Sequence, residues 1–440
     1  MIKYGYKGLN KIRSRIHSKE LKEKWRKSIT DFTRKRKMDF ERLIHYILNK
    51  KGLSTNMEIY NFFDKINEET DMSAQALLDQ RLKLKPEIFV DLNEDYLKGF
   101  YSEYRETDVK HYKGYILKAI DGTDFEIPNT EKSKDTFGRV KTKSGENIPR
   151  TSVSMCYDVL NGYIIDVIPE KYRSNEIYMA KQHMKKDQEI TEDYKSIYIM
   201  DRNYVSLDFI SFLQKNGINF LARLNLGYYV KETTNMKTKD EIIEIERTKE
   251  RMKRKYFENE ETREYAKKNK IEVRILKYVL KTGEEEYLIT NLKKLSYEEI
   301  FEIYGKRWNI ETLYNSLKNK LQIEKFTSSK EEIIKQDIYA SVLVYNMIQT
   351  MKNEAQEDIE QKKYKHEMKI NENISIGLFK NEMIYIMLED DDKKRLKRYD
   401  KLCKKILKYK IPIRKDRQYK IQWRPDNQNS YNKLKSFLCT

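Results

Sequence analysis

The sequence predicts an α/β protein in which a mixed sheet is flanked by helical, basic N- and C-terminal regions. Three observations lead there. From residue 113, short apolar runs bounded by turn residues replace the helical periodicity of the first hundred positions. Two of those runs flank Asn161-Gly162, a strong hairpin signal. After them, strand-like and helix-like segments alternate. Three antiparallel strands followed by helix–strand–helix–strand is the order of an RNase H-like core.

The first segment, residues 1–36, reads as a basic arm leading into R-K-R-K at Arg34–Lys37. Residues 1–51 hold 17 Lys/Arg against 5 Asp/Glu, while the whole chain of 440 residues carries 89 against 70, a net charge of +19. Charge gathered in one segment suits a polyanionic partner, for which counterion release supplies affinity. A helix follows, with Phe40, Leu43, Ile44, Ile47 and Leu48 at core spacing and Asp39 as its cap. A second short helix is expected around Ile59–Phe63. A third starts at Ser73, runs through Arg81 and stops near Pro86. Short helices with tight turns and strong positive charge are compatible with a helix-turn-helix-like DNA-binding module over residues 1–110.

In the central region, Tyr115–Ile120 reads as a strand ending at Asp121 in D-G-T-D. Ser152–Leu160 and Tyr163–Ile168 form the hairpin, and Ser174–Lys186 a helix. Ser196–Met200 is a strand ending at Asp201 in D-R-N-Y, then come a helix at Leu207–Lys215 and a strand at Asn219–Leu224. Residues 225–292 interrupt the order as a β-containing insertion, with a charged, helix-like stretch at Glu241–Lys270 and a hairpin turned at Thr282-Gly283. A helix over Tyr297–Leu321 and another over Glu331–Lys352 complete a catalytic domain at 111–350. Residues 351–440 read as a helical, basic region for DNA contacts or dimerisation, with cationic runs at Lys393–Lys410 and Arg414–Lys420.

Cys156, Cys403 and Cys439 lie far apart, which argues for a reducing cytoplasm and against a disulfide framework or zinc site. No apolar signal region and no run near 18 apolar residues is present, so the chain is expected to be neither secreted nor membrane-spanning.

The candidate chemistry centres on Tyr304, Arg307, Glu311 and Lys318. At about 100° per residue these four fall within roughly 60° of each other on a helix. Ile303, Ile310, Leu313, Leu317 and Leu321 take the opposite face, and Ile300 falls on the polar side. Such a stripe is commonly a solvated face of ion pairs; Trp308 beside Arg307 argues against plain solvent. Phosphodiester chemistry on hard cations needs carboxylates converging from several elements. Asp121 and Asp201, each following an apolar run, join Glu311 as that set. Asp124 and Glu126 compete with Asp121. Asp208 is expected to face solvent, and Asp158 and Asp166 to be surface residues. His17, His45, His111, His183 and His366 are scattered, so a Ser-His-Asp mechanism has no support, and no Gly-rich phosphate loop is present.

These residues resemble the DDE transposases of bacterial insertion sequences, specifically the insertion-sequence-four family. Tyr304, Arg307, Glu311 and Lys318 match its Y-R-E-K spacing without departure. Y-L-I-T-N-L at Tyr287–Leu292, D-G-T at Asp121 and D-R-x-aromatic at Asp201–Tyr204 also match. The resemblance implies that Asp121, Asp201 and Glu311 are catalytic and bind two Mg²⁺ ions, with Mn²⁺ able to substitute. It implies phosphate contacts from Tyr304, Arg307 and Lys318, with Arg202 and Trp308 as further DNA-binding residues. The implied partners are double-stranded DNA, as transposon-end inverted repeats and target, and a second copy in a synaptic homodimer, without any membrane. The implied activity is nicking at the repeats, a DNA hairpin intermediate and integration, by a cytoplasmic, nucleoid-associated bacterial protein. In that family an aromatic from the insertion often stacks on a flipped base. Trp25, Trp308 and Trp423 all lie outside the insertion here, leaving Tyr228, Tyr229 or Trp308 for that part. An RNase H-like nuclease or resolvase without strand transfer, and a DNA-binding protein derived from a dead transposase, are the alternatives.

Overall fold

The computed structural model describes residues 4–34, 36–103, 109–142, 145–192, 194–279 and 283–413. The run at Arg414–Lys420, along with Thr282, Trp423 and Cys439, lies outside them. Six helices open the chain: α1 Tyr4–Ile16, α2 Lys19–Trp25, α3 Phe40–Asn49, α4 Thr55–Lys65, α5 Ala74–Arg81 and α6 Ile88–Glu103. Asp39 and Ser73 cap α3 and α5, accepting from the Arg42 and Ala76 N–H groups. The expected basic arm is instead two packed helices. Tyr4, Tyr6, Leu9, Ile12 and Ile16 of α1 are buried against α6 and α14, and its cations are partly spent, Arg15 on Asp95 at 2.7 Å and Arg13 on Asp390. Composition reported the charge; the apolar spacing within α1 decided the structure.

The centre is built from β1 Tyr115–Glu126, α7 Glu131–Phe137, β2 Arg139–Lys141, β3 Asn147–Asp158, β4 Tyr163–Lys171, α8 Glu176–Ile190, β5 Lys195–Met200, α9 Leu207–Lys215 and β6 Asn219–Arg223. Then follow α10 Val230–Thr234, β7 Asp240–Glu244, α11 Glu260–Lys268, β8 Glu272–Val279 and β9 Glu285–Thr290. Among the described residues nine strands form one sheet, in the order β4-β3-β1-β5-β6-β9-β8-β7, with short β2 beside the start of β3. The β4–β3–β1 pairs are antiparallel and the β1–β5–β6 pairs parallel. That is the RNase H-like strand order. Gly162 turns the β3–β4 hairpin at φ 80°, a conformation glycine adopts without steric cost.

The insertion differs from expectation in two ways. Its strands do not stand apart: β9 pairs antiparallel with β6, and β8 and β7 extend the same sheet. The stretch Glu241–Lys270 is mostly not helical, because Asp240–Glu244 pairs with β8 and only Glu260–Lys268 forms a helix. Charged residues with good helix propensity were overridden there by tertiary pairing.

The C-terminal part comprises α12 Tyr297–Gly305, α13 Trp308–Asn315, a π-helical turn Ser316–Leu321, α14 Glu331–Glu360, β10 Met368–Ile370, α15 Glu372–Met387, α16 Asp392–Lys408 and β11 Lys410–Pro412. The single helix expected over Tyr297–Leu321 is thus three segments. The break at Lys306-Arg307 resets the phase, so Ile300 is fully buried rather than on the polar side. α14 is 30 residues, about 45 Å long, and buried along most of its length, its largely apolar stretch at 338–348 inside and its buried Gln336, Asp337 and Asn346 partnered. No helix among the described residues is long and apolar enough to cross a membrane.

α14 is tied to the N-terminal helices by a buried ion cluster. Arg81, with no exposed side-chain surface, donates to Asp337 at 2.7 Å and to Gln336 and Thr327, and Lys50 reaches Asp337 at 2.7 Å. Removing one partner of such a cluster strands the other charge. Asp337→Ala is therefore expected to lower stability by about 3–5 kcal/mol, read by chemical denaturation of the full chain.

Candidate active site

The site begins with the register of β1 on β5. Lys118 lies beside Tyr198 and Ala119 beside Ile199; carried two residues further, the same register sets Asp121 beside Asp201. The expected end of β1 at Asp121 is not its end, since the strand pairs with β3 as far as Glu126. What ends near Asp121 is the pairing with β5, whose chain turns away at Asp201 into the short helical turn Arg202–Tyr204. Asp121 therefore projects at an inner edge of the sheet while its backbone remains held by β3.

α13 closes over that edge. Ile310 and Leu313 anchor it in the core, and the buried Tyr314 hydroxyl donates to the Asp121 carbonyl at 2.6 Å. Arg307 Nη2 donates to Glu311 at 2.8 Å, and its Nη1 lies 3.9 Å from Asp121. One guanidinium thus stands between two of the three candidate carboxylates. Among the described residues no three acidic, His or Cys side chains stand close enough to share one ion as placed.

Burial pushes the Asp121 carboxyl up to about 6; the Gly122 N–H and Arg307 oppose this, while Asp201 and Glu176 add to it. The Tyr204 hydroxyl is buried with no hydrogen-bond partner, and the charges acting on it are those of Glu176, Asp121 and Asp201. An all-oxygen set of mutually repelling carboxylates beside an orphaned phenol fits a hard divalent cation.

Tyr304 is half-buried, its phenol pushed up to about 12 by burial against the pull of Arg307. Lys318 is not a free cation at the site: its Nζ donates to the Asp124 carbonyl at 2.7 Å and lies over the Phe125 ring. Arg202 is exposed, and Trp308 is 62% exposed at the start of α13. Asp124 accepts from Ser152, and Glu126 pairs with Arg150, so both competitors are engaged elsewhere.

A family model described as the transposase DDE domain matches residues 112–347, more than half of the chain. The chain belongs to this family. The transposase InsG of insertion sequence element IS4 from Escherichia coli K12 is 23% identical over 254 residues, 56% of this chain and 54% of that protein. A putative transposase of element IS4SA from Synechocystis is 34% identical over 91 residues, 19% of this chain and 27% of that protein. The chain thus spans about half the length, or less, of the curated relatives it matches. A solved piggyBac transposase synaptic complex with hairpin DNA overlaps 96% of this chain and 86% of that chain, at TM-score 0.44 and 11% identity.

Within this DDE domain the sequence reading missed several residues. Glu176 acts on Asp121 from α8, Tyr314 holds its backbone, and Tyr204, seen only as the aromatic of D-R-x-aromatic, feels Asp121 from the turn after Asp201. Tyr314 sat in view, one helical turn after Glu311; Glu176 gave no local signal. Asp208 does not face solvent but is buried, paired with Lys181 at 3.1 Å. Asp158 is fully buried, accepting from the Tyr101 hydroxyl, and Asp166 is largely buried against His183. The structure even forms a Ser154–His183–Asp166 hydrogen-bond chain, at 3.0 and 2.7 Å. Ser154 and His183 are sealed at 0% exposure under α8, so this chain braces the core and meets no substrate. In the insertion Tyr229 is buried, its hydroxyl donating to the Val205 carbonyl, whereas Tyr228 is partly exposed with the Arg251 guanidinium 4.7 Å over its ring.

The π-helical turn that carries Lys318 is pinned by Glu372 at the start of α15, which accepts from Ser316 at 2.9 Å, from Lys352 at 2.8 Å and from Lys320. Burial raises the Glu372 carboxyl, but Lys352 and Lys320 outweigh it and bring it down to about 2. A depressed acid contributes stability above its unfolded value, and that stability is lost as pH falls through its folded value. Glu372→Gln is thus expected to destabilise the protein at pH 7, with the difference from wild type shrinking as pH falls from about 4.5 to about 2, read by denaturation across pH.

Proposed function

We propose that the protein is a DNA transposase that excises an insertion sequence and joins it to target DNA. What supports this reading is a DDE domain in which Asp121 and Asp201 follow the paired β1 and β5 runs and one guanidinium, Arg307, links Asp121 to Glu311 on α13. Asp121, Asp201 and Glu311 are the residues that would hold the catalytic ions. Mg²⁺ or Mn²⁺ bound there supplies activation of the attacking oxygen and stabilisation of the leaving one.

In the first step water attacks a phosphodiester at the transposon end, its proton passing to solvent, and the P–O3′ bond breaks, the leaving 3′-oxygen taking up a proton from solvent to become a 3′-hydroxyl. In joining, that hydroxyl attacks a target phosphodiester and displaces the target's own 3′-oxygen. A hairpin intermediate belongs to the same chemistry, the free 3′-hydroxyl attacking a phosphodiester of the opposite strand, breaking its P–O3′ bond and releasing the flanking DNA as its 3′-hydroxyl. Arg307, lying between Asp121 and Glu311, is placed to exchange its carboxylates for a DNA phosphate, a bidentate partner of the same geometry. Arg202 and Trp308 are exposed, Trp308 at the start of α13 beside Arg307, and Trp308 would stack on a base. Tyr304 and Lys318 support the phosphate contacts, Lys318 through the β1 backbone that it holds. The partners in this reading are the terminal inverted repeats, target DNA and a second copy in the synaptic complex, in the cytoplasm at the nucleoid. The helices of residues 1–110 and the basic stretch from 351 onward would extend the DNA contact.

The test uses the full chain, Mg²⁺, and DNA carrying the inverted repeats that flank its gene. Cleavage that leaves a 3′-hydroxyl and joins it to target DNA is expected. Asp121→Asn, Asp201→Asn and Glu311→Gln should each cut at least about 100-fold more slowly while still binding the ends in a mobility-shift assay. Cleavage without joining would make the protein a nuclease. End binding without cleavage under any divalent ion would make it a DNA-binding relic.

A further inference from the structure

The DDE reading names three carboxylates; the structure brings a fourth to the same edge by a different route. α8 packs on the face of the sheet opposite Asp121: Lys118 of β1 points into that face, where its Nζ meets Asp187 of α8 at 3.1 Å. Side chains alternate along a strand, so Gly122 shares the face of Lys118 while Asp121 faces α13. A Cβ built on Gly122 would lie 3.2 Å from Glu176 Oε1, with no other side chain near it except the rest of that carboxylate. Gly122 is not among the residues with positive φ. The backbone therefore does not ask for glycine at this position. What glycine supplies is space, and Glu176 fills it.

Glu176 sits in the first turn of α8, placed by the Asn175 cap, and is partly buried. Its neighbours are unusual for a half-buried acid. Asp201 and Asp124 act on it, and the Asn203 side chain, two residues beyond Asp201, hydrogen-bonds to it. Among the described residues no Lys or Arg pairs with it, whereas Glu94 and Glu372, buried to a similar degree, each hold two lysines. The buried, partnerless Tyr204 hydroxyl feels Glu176 more strongly than it feels Asp121 or Asp201. Burying a carboxylate beside two others costs free energy unless a cation offsets it.

We propose that Glu176 is a fourth acidic residue of the Asp121–Asp201 cation centre, reaching it from the opposite face of the sheet through the gap left by Gly122. This rests on the DDE reading of the site. Glu176 adds an oxygen donor, direct or through a water, from the α8 face of the sheet. The glycine of D-G-T is then a steric requirement of cation binding rather than a turn residue.

The experiment measures Mn²⁺ affinity of the full chain without DNA, by electron paramagnetic resonance of free Mn²⁺, alongside thermal denaturation in chelator. Glu176→Gln, which keeps size and removes charge, is expected to weaken Mn²⁺ binding by roughly 10–100-fold. Gly122→Ala, which keeps Glu176 but pushes on its carboxylate, is expected to act in the same direction, and it reads the same contact should the Gln variant lose its fold. Asp201→Asn reports on the centre itself. Wild-type affinity in both Glu176→Gln and Gly122→Ala, with binding lost in Asp201→Asn, overturns the role of Glu176 and leaves the DDE reading standing. Wild-type affinity in all three overturns both.

Discussion

Main-chain pairing of β1 with β5 runs from Tyr115–Lys195 to Ala119–Ile199, and the site depends on that ladder more than on any side-chain contact. A slip of one residue would turn Asp121 toward α8 and bring an apolar side chain to the edge in its place. Ile116, Leu117, Ala119 and Ile120 on β1, and Ile197, Ile199 and Met200 on β5, are fully buried on both faces, and a slip would also carry the buried Lys118 off Asp187, which it meets at 3.1 Å. Strands covered on both sides read as largely apolar runs, broken on β1 only by the buried Lys118, and the run on each strand stops at a residue proposed to hold the ions.

Against that fixed pair the charges are arranged with little freedom. Asp121, Asp201, Glu176 and Glu311 gather negative charge, and Arg307 is the cation that reaches into it, held by Glu311 and near Asp121. Tyr304 packs beside Arg307, and Tyr314 fixes the backbone of Asp121 from beneath. Groups oriented by the fold before a ligand arrives need little reorganisation when charge develops, which is the main electrostatic advantage of an enclosed site.

Much of this was legible in the sequence, and the exceptions have a common cause. Caps at Asp39 and Ser73, the Asn161-Gly162 hairpin and the apolar runs before Asp121 and Asp201 are local signals, and each produced its element. The failures were long-range. β1 continues past Asp121 because of β3, which no local pattern announces. Glu241–Lys270 has helical composition but partly joins a strand whose partner lies thirty residues on. Asp158 and Asp208 looked exposed because the partners that bury them, Lys118, Tyr101 and Lys181, come from distant elements. Glu176 was invisible for a subtler reason: its access depends on a side chain that Gly122 lacks.

The Y-R-E-K spacing takes on a different meaning once the helix is seen in three segments. A straight helix would set the four residues on one stripe facing one target. Instead two of them meet β1 at different points, Arg307 at Asp121 and Lys318 at Asp124, with Tyr314 between them also held at Asp121. Three residues of strand cover about 10 Å, while the four from Tyr314 to Lys318 advance at most about 6 Å along a helix. The π-helical turn at Ser316–Leu321 advances even less, so a side chain must bridge the remainder. A lysine stem is long and flexible enough to do so while delivering its charge to a single carbonyl, where the planar fork of arginine would need two acceptors. Lys318 thus spans the difference in rise between the helical segment and β1, reaching the Asp124 carbonyl from the π-helical turn.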